Sequence, residues 1–282
     1  MQNLTMNNGL SIPQMGYGVF MMSSAEVEQC LPQAIDAGLR HIDTANAYFN
    51  EVAVGKAVNA SGVPRDEFFI TSKLVPQSYP YEQCGPDIDA TLERLGMDYL
   101  DLLLFHQPYG DYVEGWRAME EAVDAGKVRA IGLSNFPVHK IRQVLEVARI
   151  KPAALQVELN PYWSQHELKA ALADLDLVFE GWYPLGHGDA ALVGEPVFAE
   201  LAGKYGKTPA QVVLRWHIQE GNVVFPMTKN PEHMRENLSV FDFELTDEEM
   251  ARINALPQRA YYEVPEEPPA FVLTHNDYSN QA

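Results

Sequence analysis

The chain is predicted to fold as an α/β protein, a closed (β/α)8 barrel with an N-terminal β-hairpin and extra C-terminal helices and loop. Three observations predict it. Eight short apolar runs recur along the 282 residues. Amphipathic segments with readable helix ends separate them, and strand–helix alternation of this kind implies a parallel sheet. A doubly wound sheet would instead need a full Gly-rich phosphate turn after an early strand; Met15-Gly16-Tyr17-Gly18-Val19-Phe20 is too short and too aromatic to supply it.

The elements follow in order. Asn7-Asn8-Gly9 stands between apolar runs and favours a tight hairpin turn. The barrel strands are expected at residues 15–18, 41–43, 68–72, 100–105, 130–133, 154–157, 177–181 and 223–225. Ser24 opens the first helix and Gly38 follows it; Gly62, Gly96 and Gly126 follow the next three, glycine being the usual residue beyond a helix C-terminus. No low-complexity linker or charge block divides the chain, so residues 1–282 read as one domain. The Pro- and Glu-rich segment of about 265–282 reads as a surface loop rather than a closure over the barrel mouth.

Composition narrows the partners. A formal charge of −19 opposes binding to nucleic acid or an anionic membrane, both of which need clustered Lys and Arg. The opening MQNLTMNNGL has no basic region followed by an apolar run, and no later stretch is apolar long enough to span a bilayer; a cytoplasmic protein is expected. Cys30 and Cys84 are too few and too separated for a disulfide framework or a zinc knuckle, and no metal site is expected.

In a barrel the chemistry gathers at the C-terminal strand ends, and here those ends are polar. Asp43 closes the second strand with Tyr48 beyond it; Lys73, His106, and Ser134 with Asn135 follow the next three. Gln156 and Asn160 mark the sixth, Trp182 and Tyr183 the seventh, and Pro226, Met227 and Thr228 the eighth. Any one of them alone reads as a solvated or packed side chain. Together they form equipment for protonating an oxygen. A free phenol, with a pKa near ~10, is a sluggish donor unless a cation favours its ionised form. Lys73 can be that cation, Asp43 can keep it charged, and His106 can orient a substrate oxygen.

The stretches HIDTANAYFNE (41–51), ITSKL (70–74), LFHQP (104–108), GLSNF (132–136), QVELNP (156–161) and VFDFELT (240–246) resemble, in order, the motif series of the aldo-keto reductases over about residues 10–256. The opening NGLSIPQMGYGVF and the turn GWYPLGHG are most similar to small bacterial members such as the 2,5-diketogluconate reductases. The resemblance implies metal-independent reduction of an aldehyde or ketone with NADPH or NADH, by a protein that is commonly a monomer. It makes Tyr48 the general acid, tuned by Lys73 and Asp43, with His106 positioning the carbonyl. Ser134, Asn135 and Gln156 would hold the nicotinamide carboxamide and Trp182 would stack on its ring; Gly18, Val19, Phe20 and Asp43 fall within the same cofactor set. Leu185 and Gly186 would approach the pyrophosphate by their backbone, and Pro226, Met227, Thr228, His233, Glu236 and Asn237 the adenosine end.

Two departures stand out. Where the family pattern puts Lys and Arg against the 2′-phosphate of NADPH, this chain has Met227 and His233, so selectivity for that phosphate should fall. Lys229 could reach back as a substitute; Arg235 faces another side of the helix. Val75 and Gln107 stand where many relatives have tryptophan, which predicts a roomier or more polar substrate pocket bounded by Phe20, Tyr48, His106, Trp116 and residues around Tyr261 and Tyr262. Two rival readings remain: a non-catalytic nicotinamide sensor on the same barrel, and a metal-dependent hydrolase built on His41, Asp43 and His106.

Overall fold

The computed structural model describes residues 2–186, 190–273 and 281. Strands β1 (Asn3–Thr5) and β2 (Ser11–Pro13) pair antiparallel, and Gly9 takes φ +85° to close their turn. This hairpin seals the N-terminal end of the barrel. Met6 and Ile12 pack into the barrel interior, while Asn7 Nδ2 donates to the carbonyls of Pro152 and Leu175.

The barrel strands are β3 (Tyr17–Gly18), β4 (His41–Asp43), β5 (Phe69–Leu74), β6 (Leu100–Phe105), β7 (Val128–Ser134), β8 (Ala154–Glu158), β9 (Val178–Trp182) and β10 (Asn222–Val224). They form one parallel sheet in chain order, and a bridge between Met15 and Val224 joins its two edges. Helices α1 (Ser24–Asp36), α2 (Glu51–Ala60), α3 (Tyr81–Leu95), α4 (Tyr112–Asp124), α5 (Val138–Val147), α6 (His166–Ala171), α7 (Ala190–Val193), α8 (Pro196–Tyr205) and α9 (Pro209–Gln219) lie between successive strands. After β10 come α10 (Pro231–Leu238), α11 (Asp247–Asn254) and α12 (Ala270–Leu273). None of the described helices is long and apolar enough to cross a membrane.

The ends agree with local chemistry. Ser24 opens α1 as expected and Ser23 caps it, its hydroxyl accepting from the Glu26 amide while Glu26 reaches back to the Ser23 amide. β5 runs two residues beyond its expected end, because Lys73 and Leu74 pair with Leu104 and Phe105 of β6. That extension brings a lysine inside the sheet, which polarity alone would place in a loop.

Strand alternation sorts the side chains into two cores. Ile42, Ile70, Leu103, Phe105, Leu133 and Leu155 face the helices, whereas Phe69, Leu102, Leu104, Ala130, Ala154, Val178, Val223 and Phe225 fill the barrel. The inward parity then continues toward the C-terminal mouth as Asp43, Lys73, His106, Ser134, Gln156, Glu180 and Trp182. This places the site.

Candidate active site

Asp43 and Lys73 meet inside the mouth. Lys73 Nζ lies 2.8 and 2.7 Å from the two Asp43 carboxylate oxygens, 2.9 Å from the Thr44 carbonyl and 3.2 Å from Tyr48 Oη. A buried ammonium with fewer partners would carry a desolvation cost of several kcal/mol, so each acceptor has a structural reason to be there. Burial draws the Lys73 pKa down, but Asp43 and Tyr48 outweigh it and the net shift is upward. The lysine stays charged.

Tyr48 ends a one-turn 3-10 helix, Asn46–Tyr48, which Phe49 terminates in the left-handed region at φ +56°. Burial pushes the phenol up to about 12, while Lys73 pulls it back only in part. Lys73 favours the ionised form, as expected, but dehydration of the phenolate is the larger effect. Tyr48 therefore holds its proton at neutral pH.

His106 follows β6, its ring edge-on to Tyr48 with centroids 5.6 Å apart. Burial, then Lys73, push the imidazole down to about 3, so it is neutral. No hydrogen bond from its ring occurs among the described residues, leaving a donor for an incoming oxygen.

The amide side chains tie these groups to the neighbouring strands. Asn135, at φ +65°, donates from Nδ2 to the His106 carbonyl at 3.1 Å and accepts from Trp182 Nε1 at 2.9 Å. Ser134 Oγ accepts from Asn135 Nδ2 at 3.2 Å. Gln156 Nε2 donates to Asp43 Oδ1 at 2.9 Å and to Glu180 Oε2 at 3.1 Å. A hydroxyl and two amides beside an indole suit a flat heterocycle bearing a carboxamide, which needs donors, acceptors and an apolar face. The residues present therefore fit a nicotinamide.

Comparison with known proteins decides the family. The profile of the Aldo/keto reductase family matches residues 14–258. The chain belongs to the aldo/keto reductase family. It is similar to an aldo-keto reductase of Mycolicibacterium smegmatis, 43% identical over 90% of this chain and 92% of the relative. It is also similar to the morphine 6-dehydrogenase of Pseudomonas putida, 39% identical over 90% of both chains. Among solved structures it superposes on a Bombyx mori aldo-keto reductase in complex with NADP, with TM-score 0.84, 33% identity and coverage of 90% of this chain and 92% of that one. Family membership implies NAD(P)H-dependent carbonyl reduction.

Within this aldo-keto reductase the residues that the resemblance puts at the adenosine end lie in the loop after β10 and on α10. Pro226 is buried, but Met227 is 46% exposed and His233, Arg235 and Glu236 are exposed. Tyr17 Oη donates to the Thr228 carbonyl at 2.6 Å, Thr228 Oγ1 accepts from the Asn230 amide, and Asn230 caps α10. Asn237 is buried. Lys229, the candidate substitute cation, is paired with Glu26 of α1. Gly186 takes φ +64° and its amide donates back to the Tyr183 carbonyl, closing the turn that carries Leu185.

The remaining sequence assignments divide. Gly18 faces inward, and a Cβ there would meet Phe225 at 3.2 Å. The side chain of Val19 is fully buried in the outer core, so only its backbone reaches the mouth side, donating to the Asp43 carbonyl at 3.1 Å. Phe20 is 41% exposed with its ring 4.9 Å from Tyr48. Val75 is buried but joins neither core cluster, and Gln107 has a buried Oε1 with no hydrogen-bond partner.

Trp116 is misassigned as a pocket wall. It belongs to the outer core of α4, packed edge-on to Phe105 and donating from Nε1 to the Ile150 carbonyl at 3.0 Å. Its apolar strip is the helix's buried face, which sequence alone cannot distinguish from a pocket lining. The C-terminal segment, expected as a surface loop, is hydrogen-bonded to the barrel at several points. The amides of Tyr261 and Tyr262 donate to the Glu158 carboxylate, Tyr109 Oη donates to the Pro265 carbonyl at 2.8 Å, and Gln77 Nε2 donates to the Val272 carbonyl. Gln281 bonds both the Glu51 amide and the Asn46 carbonyl beside the Tyr48 turn. These partners end β8 or follow β6, β5 and β4. Residues 274–280 lie outside the described residues.

His41 sits one inward position below Asp43, with Nδ1 3.1 Å from the Pro13 carbonyl and Nε2 3.0 Å from Thr71 Oγ1. Both nitrogens are occupied in the barrel interior, and no group of three or more His, Cys, Asp or Glu able to hold a metal occurs among the described residues. One inward residue escaped the sequence reading: Glu180, whose signal was its position two residues before Trp182 in an otherwise apolar strand.

Proposed function

We propose that this chain reduces an aldehyde or ketone, reversibly, with Tyr48 as the general acid. The observation that carries the reading is one ammonium, Lys73, bonded at once to a buried carboxylate and to the phenol beside a neutral imidazole. The His106 ring donates to the carbonyl oxygen and fixes it near Tyr48 Oη. As negative charge gathers on that oxygen, the phenol passes its proton across, and Lys73 stabilises the phenolate left behind. Asp43 keeps Lys73 charged and aimed. Ser134, Asn135 and Gln156 hold the carboxamide and Trp182 the ring of the nicotinamide; when bound, that group supplies hydride to the carbonyl carbon.

Both NADPH and NADH serve in this reading, with reduced selectivity for the 2′-phosphate. Its support is local: Met227 carries no charge and Lys229 is engaged by Glu26. The similarity of two segments to 2,5-diketogluconate reductases and the name of the Pseudomonas relative bracket the substrates worth offering, from sugar-derived dicarbonyls to polycyclic ketones. The single barrel domain is taken to act as a cytoplasmic monomer on small molecules.

The test is a cofactor-oxidation screen with aldehydes, ketones and dicarbonyls, run with NADPH and again with NADH. Turnover that survives a chelator and is lost in Tyr48→Phe is expected. Binding of reduced cofactor with no oxidation by any carbonyl would leave a sensor instead.

A further inference from the structure

We infer that Glu180 is a positioning residue: its carboxyl group turns the Gln156 amide toward the cofactor, and a second negative charge at this place would set back proton release from Tyr48. This rests on the reductase reading above and concerns a residue that the mechanism does not otherwise use.

Glu180 lies between Val178, in the inner core, and Trp182, at the mouth, on the inward face of β9, and it is fully buried. Oε2 accepts from Gln156 Nε2 at 3.1 Å, and Oε1 has no hydrogen-bond partner. The same Gln156 nitrogen donates to Asp43 at 2.9 Å. Both neighbours of that nitrogen are acceptors, so it must be the NH2 end, and its two hydrogens are committed. The Gln156 oxygen is thereby directed away from this pair and is left to accept from a carboxamide.

No cation serves Glu180. The acceptors around Lys73 are both Asp43 carboxylate oxygens, the Thr44 carbonyl and Tyr48 Oη, four oxygens for its three hydrogens. The charged groups facing Glu180 are Asp43 from β4 and Lys73 from β5; β8 offers the uncharged Gln156, and its partner on β10 is Val223. Burial, then repulsion from Asp43, push the carboxyl up to about 8 against smaller opposing effects of Gln156 and Lys73. Below that pH the floor holds one carboxylate and one ammonium. Above it a second carboxylate competes for the field of Lys73, so forming a phenolate at Tyr48 becomes harder.

Three measurements on wild type, Glu180→Gln and Glu180→Leu test this. In cofactor-free melting between pH 5.5 and 8.5, the folded wild type retains a proton that an unfolded glutamate would have released. Its stability therefore falls as pH rises through this window, whereas Glu180→Gln has no such group. The melting temperature of Glu180→Gln should gain several degrees on wild type across the range; a constant difference overturns the inference. The dissociation constant of reduced cofactor, followed by tryptophan quenching at pH 7, should be about tenfold weaker in Glu180→Leu than in Glu180→Gln, which keeps an acceptor for Gln156; equal constants overturn it. Wild-type kcat for reduction should fall on the order of tenfold from pH 7 to 9.5, and that of Glu180→Gln less than about twofold. Superimposed profiles overturn it too. If no carbonyl is turned over, the proposed reduction fails, while the melting and cofactor measurements still decide the role of Glu180.

Discussion

The two ends of the cleft proposed for the cofactor are built on opposite terms. At the floor, Asp43 and Lys73 are buried and every polar contact around the ammonium comes from a strand end or the turn just beyond one. At the adenosine end, Met227, Lys229 and His233 stand exposed on a loop and the first turns of α10, with few fold contacts of their own. A charge at the floor is fixed twice, by the chemistry it performs and by the cost of leaving its partner unpaired. A charge at the rim is fixed only by its ligand. Sequence changes should therefore accumulate at the rim first, and this chain's principal departures from the family pattern lie at the adenosine rim and in the substrate wall.

The largest effects test the first half of that contrast. Tyr48→Phe is expected to lower kcat about 10³-fold while leaving cofactor affinity nearly unchanged, since the ring still packs on Phe20 and only the proton donor is lost. Steady-state kinetics beside cofactor titration check it. Lys73→Met should also abolish turnover and, because Asp43 is left buried without its cation, destabilise the fold by about 3–5 kcal/mol in urea melts. Adding Asp43→Leu should return much of that stability and none of the activity. If the double variant is no more stable than Lys73→Met, then the pair is not what links stability to catalysis at the floor.

This division also explains what was legible in the sequence. The floor was readable because alternation along each strand, together with Asp43, Lys73, His106, Ser134 and Gln156 at one end of the sheet, leaves little choice of where the side chains go. Trp116 was misread because a helix face buried against a barrel and a helix face bordering a pocket have the same composition. Glu180 was missed because the run LVFEGW reads as an apolar strand, and a lone acid within it gains meaning only when Asp43 and Gln156 are known to lie across from it. The tail's attachment was not readable either: backbone amides of Tyr261 and Tyr262 reach Glu158 across more than 100 residues, and backbone donors leave no sequence pattern.

The rim predicts a middle-sized effect. Met227→Lys with His233→Arg restores the two cations of the family pattern and should raise the ratio of kcat/KM for NADPH over NADH about 10- to 100-fold, with no loss of melting temperature. The gain should shrink at high salt, because the new charges are exposed. Wild type itself should prefer NADPH by far less than several hundredfold. A smaller change, Glu26→Gln, releases Lys229 and should raise the same ratio about two- to threefold; no change would mean that Lys229 lies beyond reach of the phosphate even when unpaired.

A further modest effect concerns the substrate wall, where neither extreme applies cleanly. Val75 and Gln107 follow floor residues in sequence, yet they take no part in the Asp43–Lys73 network, and the Gln107 oxygen is buried without a partner. In Val75→Trp with Gln107→Trp, removing the unsatisfied Gln107 oxygen offsets part of the cost of fitting a larger ring at the buried Val75. The two rings should take up space, shifting the ratio of kcat/KM between small and bulky carbonyls toward the small by about 3- to 10-fold. Trp116→Phe is the matched control: it removes the bond to the Ile150 carbonyl and should cost about 1 kcal/mol in stability while leaving that ratio alone. A ratio unmoved by the double tryptophan variant would mean that these two positions do not border the substrate and that the loss of aromatic residues there has no bearing on pocket size.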